Sequence, residues 1–218
     1  MKKIMFNDRY GLTKSVLEGK KTQTRRVISD KILDKIKLFQ DEYFNASFDL
    51  LEGKDLIEAY MVNYPEKLPY NVGEIVAVAQ SYSSIIEELN DPKNATCAEH
   101  YVWNQGLSRQ CVGMIDHHGF RNKMFVCTDY MPHQIRITDV RVGRLQDISD
   151  EDCLKEGICP MIVGCEYYVF SFIDKEKGRF LDYKTPREAY ASLIDKVSGK
   201  GTWESNPYVF VYDFELVK

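Results

Sequence analysis

The last strand-like segment of the chain places the strongest constraint on its fold. Residues 208–216 read Tyr-Val-Phe-Val-Tyr-Asp-Phe-Glu-Leu, which is apolar throughout its first half and alternates apolar with polar later. A strand that is apolar on both sides needs other parts of the protein to cover both of them. We therefore expect this segment to be a central strand, with both faces covered at its start.

Four further segments have the character of strands. Residues 3–6 form a short apolar stretch, residues 75–79 form a continuous apolar run, and residues 167–173 end at a polar turn that closes with Gly178. Residues 134–142 alternate apolar and polar side chains, but the phase slips at Asp139-Val140, which predicts a bulge or bend.

Helix signals lie between these strands. Apolar residues at helical spacing predict helices around residues 12–17 and 32–39, with Asp8 as the cap of the first and Gly19 at its end. Ser149 opens a further helix that Gly157 ends, so that Glu156 is its last residue. A carboxylate is disfavoured at the negative end of a helix, which hints at a role for Glu156 outside the helix. The signals for the helix that follows residue 185 are Thr185-Pro186-Arg187-Glu188 at its start and Gly199 at its end.

Two regions are harder to read. Residues 43–61 are predicted to form a hairpin around a polar turn at residues 52–55, with a helix at residues 56–61 as the alternative. Residues from about 83 to 131 contain loop signals and no clear periodicity, and we interpret them as an insertion. The insertion is a candidate lid or partner surface, although an irregular excursion fits equally well.

Composition limits the classes of function. The chain has 218 residues, a net charge of −4, and no apolar run close to the roughly 20 residues needed to cross a bilayer. Any binding of nucleic acid must therefore come from a local basic patch. The six cysteines contain no Cys-x-x-Cys pair and the four histidines show no ligand spacing, so we expect free thiols, no metal and no cofactor. We expect a cytoplasmic protein.

The densest group of candidate functional side chains is a basic stretch at residues 19–26. It reads Gly-Lys-Lys-Thr-Gln-Thr-Arg-Arg and directly follows the first predicted helix. Its donors suit phosphate, carboxylate or the carbonyl edge of a base, although charge runs are also common on solvated surfaces. On a regular strand Lys21 and Thr24 would point to opposite faces, so a site that uses both needs a turn or bulge before Thr24.

Three separated blocks of sequence occur in an order that resembles the ASCH family. They are the basic stretch, residues 140–149 together with Glu156-Gly157-Ile158, and the tail at residues 199–215. The longer bacterial and phage members are the most similar, and the similarity is weak from about residue 83 to residue 131. The resemblance implies a single domain over residues 1–218 of the α+β class: a PUA-like mixed β-barrel with flanking helices and a sizeable insertion.

The resemblance also implies a ligand cleft and a set of site residues. One small bacterial ASCH enzyme removes the acetyl group from acetylated cytidine. When its motif is matched to this sequence, its catalytic Lys, Thr and Glu correspond to Lys21, Thr24 and Glu156. Arg26 matches the closing arginine of the family motif and would bind the ligand. Further ligand-binding candidates are Lys20, Arg25, Arg136 and Tyr82, the last as a stacking platform for a base.

Three functions remain open on this reading. The first is recognition of RNA or a modified nucleobase, nucleoside or nucleotide in the basic cleft. The second is hydrolysis of an acylated nucleoside such as acetylcytidine, in which Lys21 would need a lowered pKa to act as nucleophile or base. The third is a non-enzymatic module that binds a protein partner through residues 83–131. We expect no membrane partner.

Overall fold

The structure is a computed structural model that describes residues 1–43, 51–89, 118–163 and 167–217. Its strands are β1 (Lys3–Ile4), β2 (Gln23–Val27), β3 (Ile75–Val78), β4 (Gln134–Arg144), β5 (Cys159–Val163), β6 (Tyr167–Asp174), β7 (Arg179–Tyr183) and β8 (Tyr208–Val217). Its helices are α1 (Leu12–Leu17), α2 (Asp30–Tyr43), α3 (Gly53–Asn63), α4 (Tyr82–Leu89), α5 (Asp150–Lys155), α6 (Pro186–Ser198) and α7 (Thr202–Ser205).

The strands form two sheets, which confirms the α+β class. The larger sheet is mixed and has the order β1-β3-β4-β8-β2, with β1 parallel to β3 and β2 antiparallel to β8. The smaller sheet has the order β5-β6-β7 and is antiparallel. Over the described ranges these pairings do not close into a barrel.

The position of β8 confirms the expectation of a central strand. It lies between β4 and β2, and four successive side chains, Val209 to Tyr212, are buried. Strand β4 also shows the expected change of phase, because Ile135 and Ile137 are buried before the slip and Val142 after it.

The chain divides into two compact units, each made of separate segments. One comprises Met1–Phe6, Ile75–Ile135 and the end of β8, and the other comprises Asn7–Glu74 and Arg136–Leu216. The core of the first unit includes Ala77, Ala79, Tyr82, Ile85, Val126 and Met131. Its N-terminal strand is held by the Lys3 ammonium, which donates to the carbonyls of Met124 and Val126 at 2.6 and 2.9 Å. The prediction of a single domain stays a prediction.

The structure decides one open alternative and corrects one expectation. Residues 53–63 form helix α3, which confirms the helical alternative for residues 56–61 and not the hairpin, because Leu56, Ile57 and Tyr60 share one helical face that is buried; residues 44–50 of the hairpin prediction lie outside the described ranges. Asp8 does not cap α1, which begins after Gly11 at φ 68°. The Asp8 carboxylate instead accepts a hydrogen bond from the Thr13 hydroxyl.

The predicted insertion is described only at its two ends. Helix α4 opens it, and two short 3₁₀ turns, Lys123–Phe125 and Thr128–Tyr130, precede β4. Residues 90–117 lie outside the described ranges. None of the helices in the described part of the chain combines the length and the apolar character that crossing a membrane requires.

Candidate functional site

A tight bend positions Lys21 ahead of β2. Helix α1 ends at Glu18 and Gly19, which has φ 69°, and the backbone N–H groups of Lys20 and Lys21 both donate to the Ser15 carbonyl at 2.9 Å. The chain then becomes extended, and β2 begins at Gln23. Lys21 therefore lies in the bend and not on the strand.

Helix α5 ends at Glu156. The Ser149 hydroxyl accepts from the Asp152 N–H at 3.1 Å to cap the start of the helix, and Glu156 is its C-terminal cap. Gly157, at φ 103°, then turns the chain away. The backbone N–H of Thr22 donates to the Lys155 carbonyl at 3.0 Å, so the end of this helix lies directly against the bend.

Lys21 and Glu156 form a buried ion pair. The Lys21 Nζ donates to Glu156 Oε2 at 2.6 Å, to the Glu156 carbonyl at 2.7 Å and to the Gln23 carbonyl at 2.8 Å. An ammonium has three protons to donate, and these three acceptors match them. Lys21 is only 2% exposed and Glu156 only 4%. Taking two charges out of water costs free energy that such a pair recovers only in part, so the pair is weak evidence for a stabilising role alone.

Arg25 extends the pair into a cluster with no net formal charge. Its Nη2 donates to Asp152 Oδ2 at 2.7 Å, and its Nη1 lies 3.4 Å from Glu156 Oε1 and also contacts the Gln23 side-chain oxygen. The Gln23 amide in turn donates to Asp213 on β8 at 2.6 Å. The buried centre therefore contains the cations Lys21 and Arg25 and the carboxylates Asp152 and Glu156; we call these four residues the charge cluster.

Burial and pairing act in opposite directions on the pKa values of the charge cluster. Burial lowers the pKa of Lys21, the Glu156 carboxylate opposes this, and the net result is a lowered pKa. Burial raises the pKa of Asp152, but the hydrogen bond and charge of Arg25 outweigh it and lower the pKa. For Arg25, burial lowers the pKa, and Glu156 and Asp152 more than compensate. A buried group with a perturbed pKa and a defined partner is typical of functional sites, although structural ion pairs share this property.

Thr24 and Arg26 lie on the other face of β2. The register pairs Thr24 with Tyr212 and Arg26 with Phe210, whereas Gln23 and Arg25 alternate to the face of the charge cluster. The charge of Arg26 still contributes to the lowered pKa of Lys21. The structure therefore brings together Lys21, Arg25 and Glu156, but not Thr24.

The remaining candidates are dispersed. Lys20 is exposed and pairs with Glu18 at 2.6 Å, and Arg136 is exposed and pairs with Glu215 at 3.0 Å. Tyr82 belongs to the first unit, where its buried ring packs against Tyr130 in a T-shaped arrangement with a centroid distance of 5.9 Å.

A cavity of about 420 Å³ borders the same bend and helix end. It is lined by Lys20, Leu154, Gly157, Ile158, Cys159 and Pro160. Its volume falls within the range of small-ligand sites, and its lining is mostly apolar with one cation at the edge. Lys20 and Gly157 are the immediate neighbours of Lys21 and Glu156, so the cavity and the charge cluster share the same two turns of the chain.

Sequence reasoning missed Gln23, Asp152, Asp213 and Tyr190. Two of them had a signal: Gln23 shares the face of Arg25 by strand alternation, and Asp152 lies one helical turn before Glu156. Asp213 could be paired with Gln23 only once the register of β2 and β8 was known. Tyr190, a fully buried residue of α6, had no signal that distinguished it from a core residue.

The described residues contain no group of three or more His, Cys, Asp or Glu side chains that could hold a metal ion, and Cys127, Cys153 and Cys159 are free thiols. Comparison of the chain with protein-family models, with curated proteins and with solved structures finds no match.

Proposed function

We propose that the protein is a PUA-like member of the ASCH family that recognises RNA or a modified nucleobase. The observation that carries the proposal is the contact at 2.6 Å between Lys21 and Glu156, two buried residues that are 135 positions apart in the chain. The family resemblance had assigned both residues to one site. We further propose a cytoplasmic location, in keeping with the free thiols of the described cysteines.

The cavity beside the charge cluster is the proposed binding site for the base. Its apolar lining, which includes Leu154, Ile158 and Pro160, suits a flat ring, and the exposed Lys20 suits a phosphate or a base carbonyl. The protein has a net charge of −4, which favours the recognition of one base with its phosphate over the coating of a long duplex.

Equilibrium titration with cytidine, acetylcytidine and a short single-stranded RNA tests the proposal. We expect Lys20→Ala to weaken binding of the RNA several-fold and to reduce its dependence on salt, because one phosphate contact is lost. Lys14→Ala is the matched control: Lys14 is also an exposed lysine beside Glu18, but it does not line the cavity. Equal effects of the two variants, or no binding of any of the three ligands, would reject the proposal.

Hydrolysis of an acylated nucleoside is the second candidate, and the lowered pKa of Lys21 favours it. Transfer of a proton from Lys21 to Glu156 over the 2.6 Å contact would leave a neutral amine. That amine could take a proton from a water that attacks the acyl carbonyl, and the leaving nucleoside amine would receive the proton as its C–N bond breaks, which gives the free carboxylic acid and the nucleoside. Because Thr24 faces the other side of β2, this alternative rests on Lys21 and Glu156.

Release of acetate from acetylcytidine distinguishes the two candidates. Hydrolysis predicts release that Glu156→Gln abolishes and Lys14→Ala leaves unchanged. Binding of acetylcytidine without any release leaves recognition as the function. A protein-interaction role through residues 83–131 stays a prediction, since 90–117 lie outside the described ranges.

A further inference from the structure

Two buried hydrogen-bond donors beside the charge cluster have no partner in the described part of the chain. They are the Arg25 Nε–H and the Tyr190 hydroxyl, and their residues are only 8% and 2% exposed. The other two nitrogens of the Arg25 guanidinium are engaged by Asp152, Glu156 and Gln23. A buried donor without an acceptor is costly, so each of these two donors indicates a missing acceptor.

The two donors belong to the same neighbourhood. Helix α5 packs against both β2, which carries Arg25, and α6, which carries Tyr190. Burial raises the pKa of Tyr190 well above its usual value, Glu156 raises it further and Arg25 opposes the rise. The phenol therefore keeps its proton at neutral pH and can donate it in a hydrogen bond.

We propose that Arg25 Nε and the Tyr190 hydroxyl together bind one carbonyl oxygen of the ligand. This inference rests on the proposed function and adds to it a chemical group of the ligand and a residue, Tyr190, that the family resemblance does not assign. Two buried donors that lack an acceptor in the described part of the chain match a group that only accepts, such as a carbonyl or an anionic oxygen.

Charge decides between these two kinds of acceptor. The charge cluster already balances two cations, Lys21 and Arg25, against two carboxylates, Asp152 and Glu156. An added phosphate or carboxylate would bring an extra buried negative charge to this balanced cluster, whereas a carbonyl brings no net charge. The ligand group is therefore the carbonyl of a base or of its acyl substituent.

Tyr190→Phe is the test, because it removes the hydroxyl and little else. We expect it to weaken binding of cytidine or acetylcytidine about tenfold while the thermal midpoint of the unliganded protein stays level or rises. A loss for acetylcytidine alone assigns the acyl carbonyl, and an equal loss for both ligands assigns the ring carbonyl. Each pattern supports the proposal.

Tyr183→Phe is the matched control. The Tyr183 hydroxyl donates to Ser192 Oγ at 2.6 Å, so its removal should lower the thermal midpoint and leave ligand binding unchanged. If Tyr190→Phe binds both ligands as tightly as the natural protein, or lowers the midpoint as Tyr183→Phe does, the proposal is overturned and the hydroxyl has a structural partner such as an ordered water. If the natural protein binds neither ligand, the proposed function is rejected, and this inference is rejected with it because it rests on that function.

Discussion

Replacing Lys21 by Met tests the buried ion pair directly. Met has a similar length and no charge, so it fills the space of the lysine stem but removes the ammonium. The change leaves the Glu156 carboxylate, the Glu156 carbonyl and the Gln23 carbonyl without the donor that each now has at 2.6 to 2.8 Å.

The size of the effect follows from what remains beside Glu156. Breaking a buried ion pair by removing one partner costs about 3–5 kcal/mol. Arg25 Nη1 still lies 3.4 Å from Glu156 Oε1, so part of the compensation survives and we expect the lower end, about 3 kcal/mol. For a chain of this size that loss corresponds to a fall of about 6–12 °C in the melting temperature.

Urea denaturation followed by circular dichroism measures the change. A shift of the midpoint at constant slope reports a change in the free energy of unfolding. Lys20→Met is the matched control, because Lys20 is the adjacent residue and its side chain is 62% exposed. We expect its midpoint to stay within experimental error of the natural protein.

A double variant separates the charge effect from simple loss of packing. Lys21→Met combined with Glu156→Gln removes both charges, so we expect it to recover at least half of the stability lost in Lys21→Met. If Lys21→Met is no less stable than Lys20→Met, Lys21 is not a buried partner of Glu156. If the double variant loses more than the single one, the cost comes from packing and not from an unpaired carboxylate.

Three further predictions concern the residues that hold the site in place. Arg25 lowers the pKa of Asp152 in the folded protein despite burial, so the contribution of Asp152 to stability is present above its unfolded pKa of about 3.9 and is lost as the pH falls through the folded value. The unfolding free energy of Asp152→Asn, measured by urea titration, should therefore vary less with acid pH than that of the natural protein. An unchanged pH profile would contradict the pairing. Gly157→Ala should cost about 1–2 kcal/mol, because φ is 103° and the new Cβ would lie 3.3 Å from Leu12 Cδ2; an unaltered urea midpoint would show that the turn tolerates a side chain. Thr185→Ala removes the cap of α6, in which the hydroxyl accepts a backbone N–H at 3.1 Å, and should cost about 1 kcal/mol in the same assay, whereas Thr185→Ser should retain most of that stability.

The sequence alone determined most of the local structure around the site. Ser149 and Gly157 set the ends of α5, Gly19 ends α1, and the alternation of β4 with its slip is visible in the residues themselves. These features depend on contacts within a few residues, such as a cap hydrogen bond or a positive φ that favours glycine. A sequence pattern can therefore report them without knowledge of the rest of the chain.

Tertiary structure decided which of these elements meet. No local signal shows that Lys21 lies against Glu156, that Gln23 pairs with Asp213, or that Tyr190 from α6 lies beside the charge cluster; the first was expected only from the family resemblance. These contacts depend on the register of β2 with β8 and on the packing of α5 and α6, which join residues far apart in sequence. The choice between a hairpin around residues 52–55 and a helix stayed open in the sequence for the same reason, since it is burial of one face that favours the helix α3 over a turn that is locally acceptable.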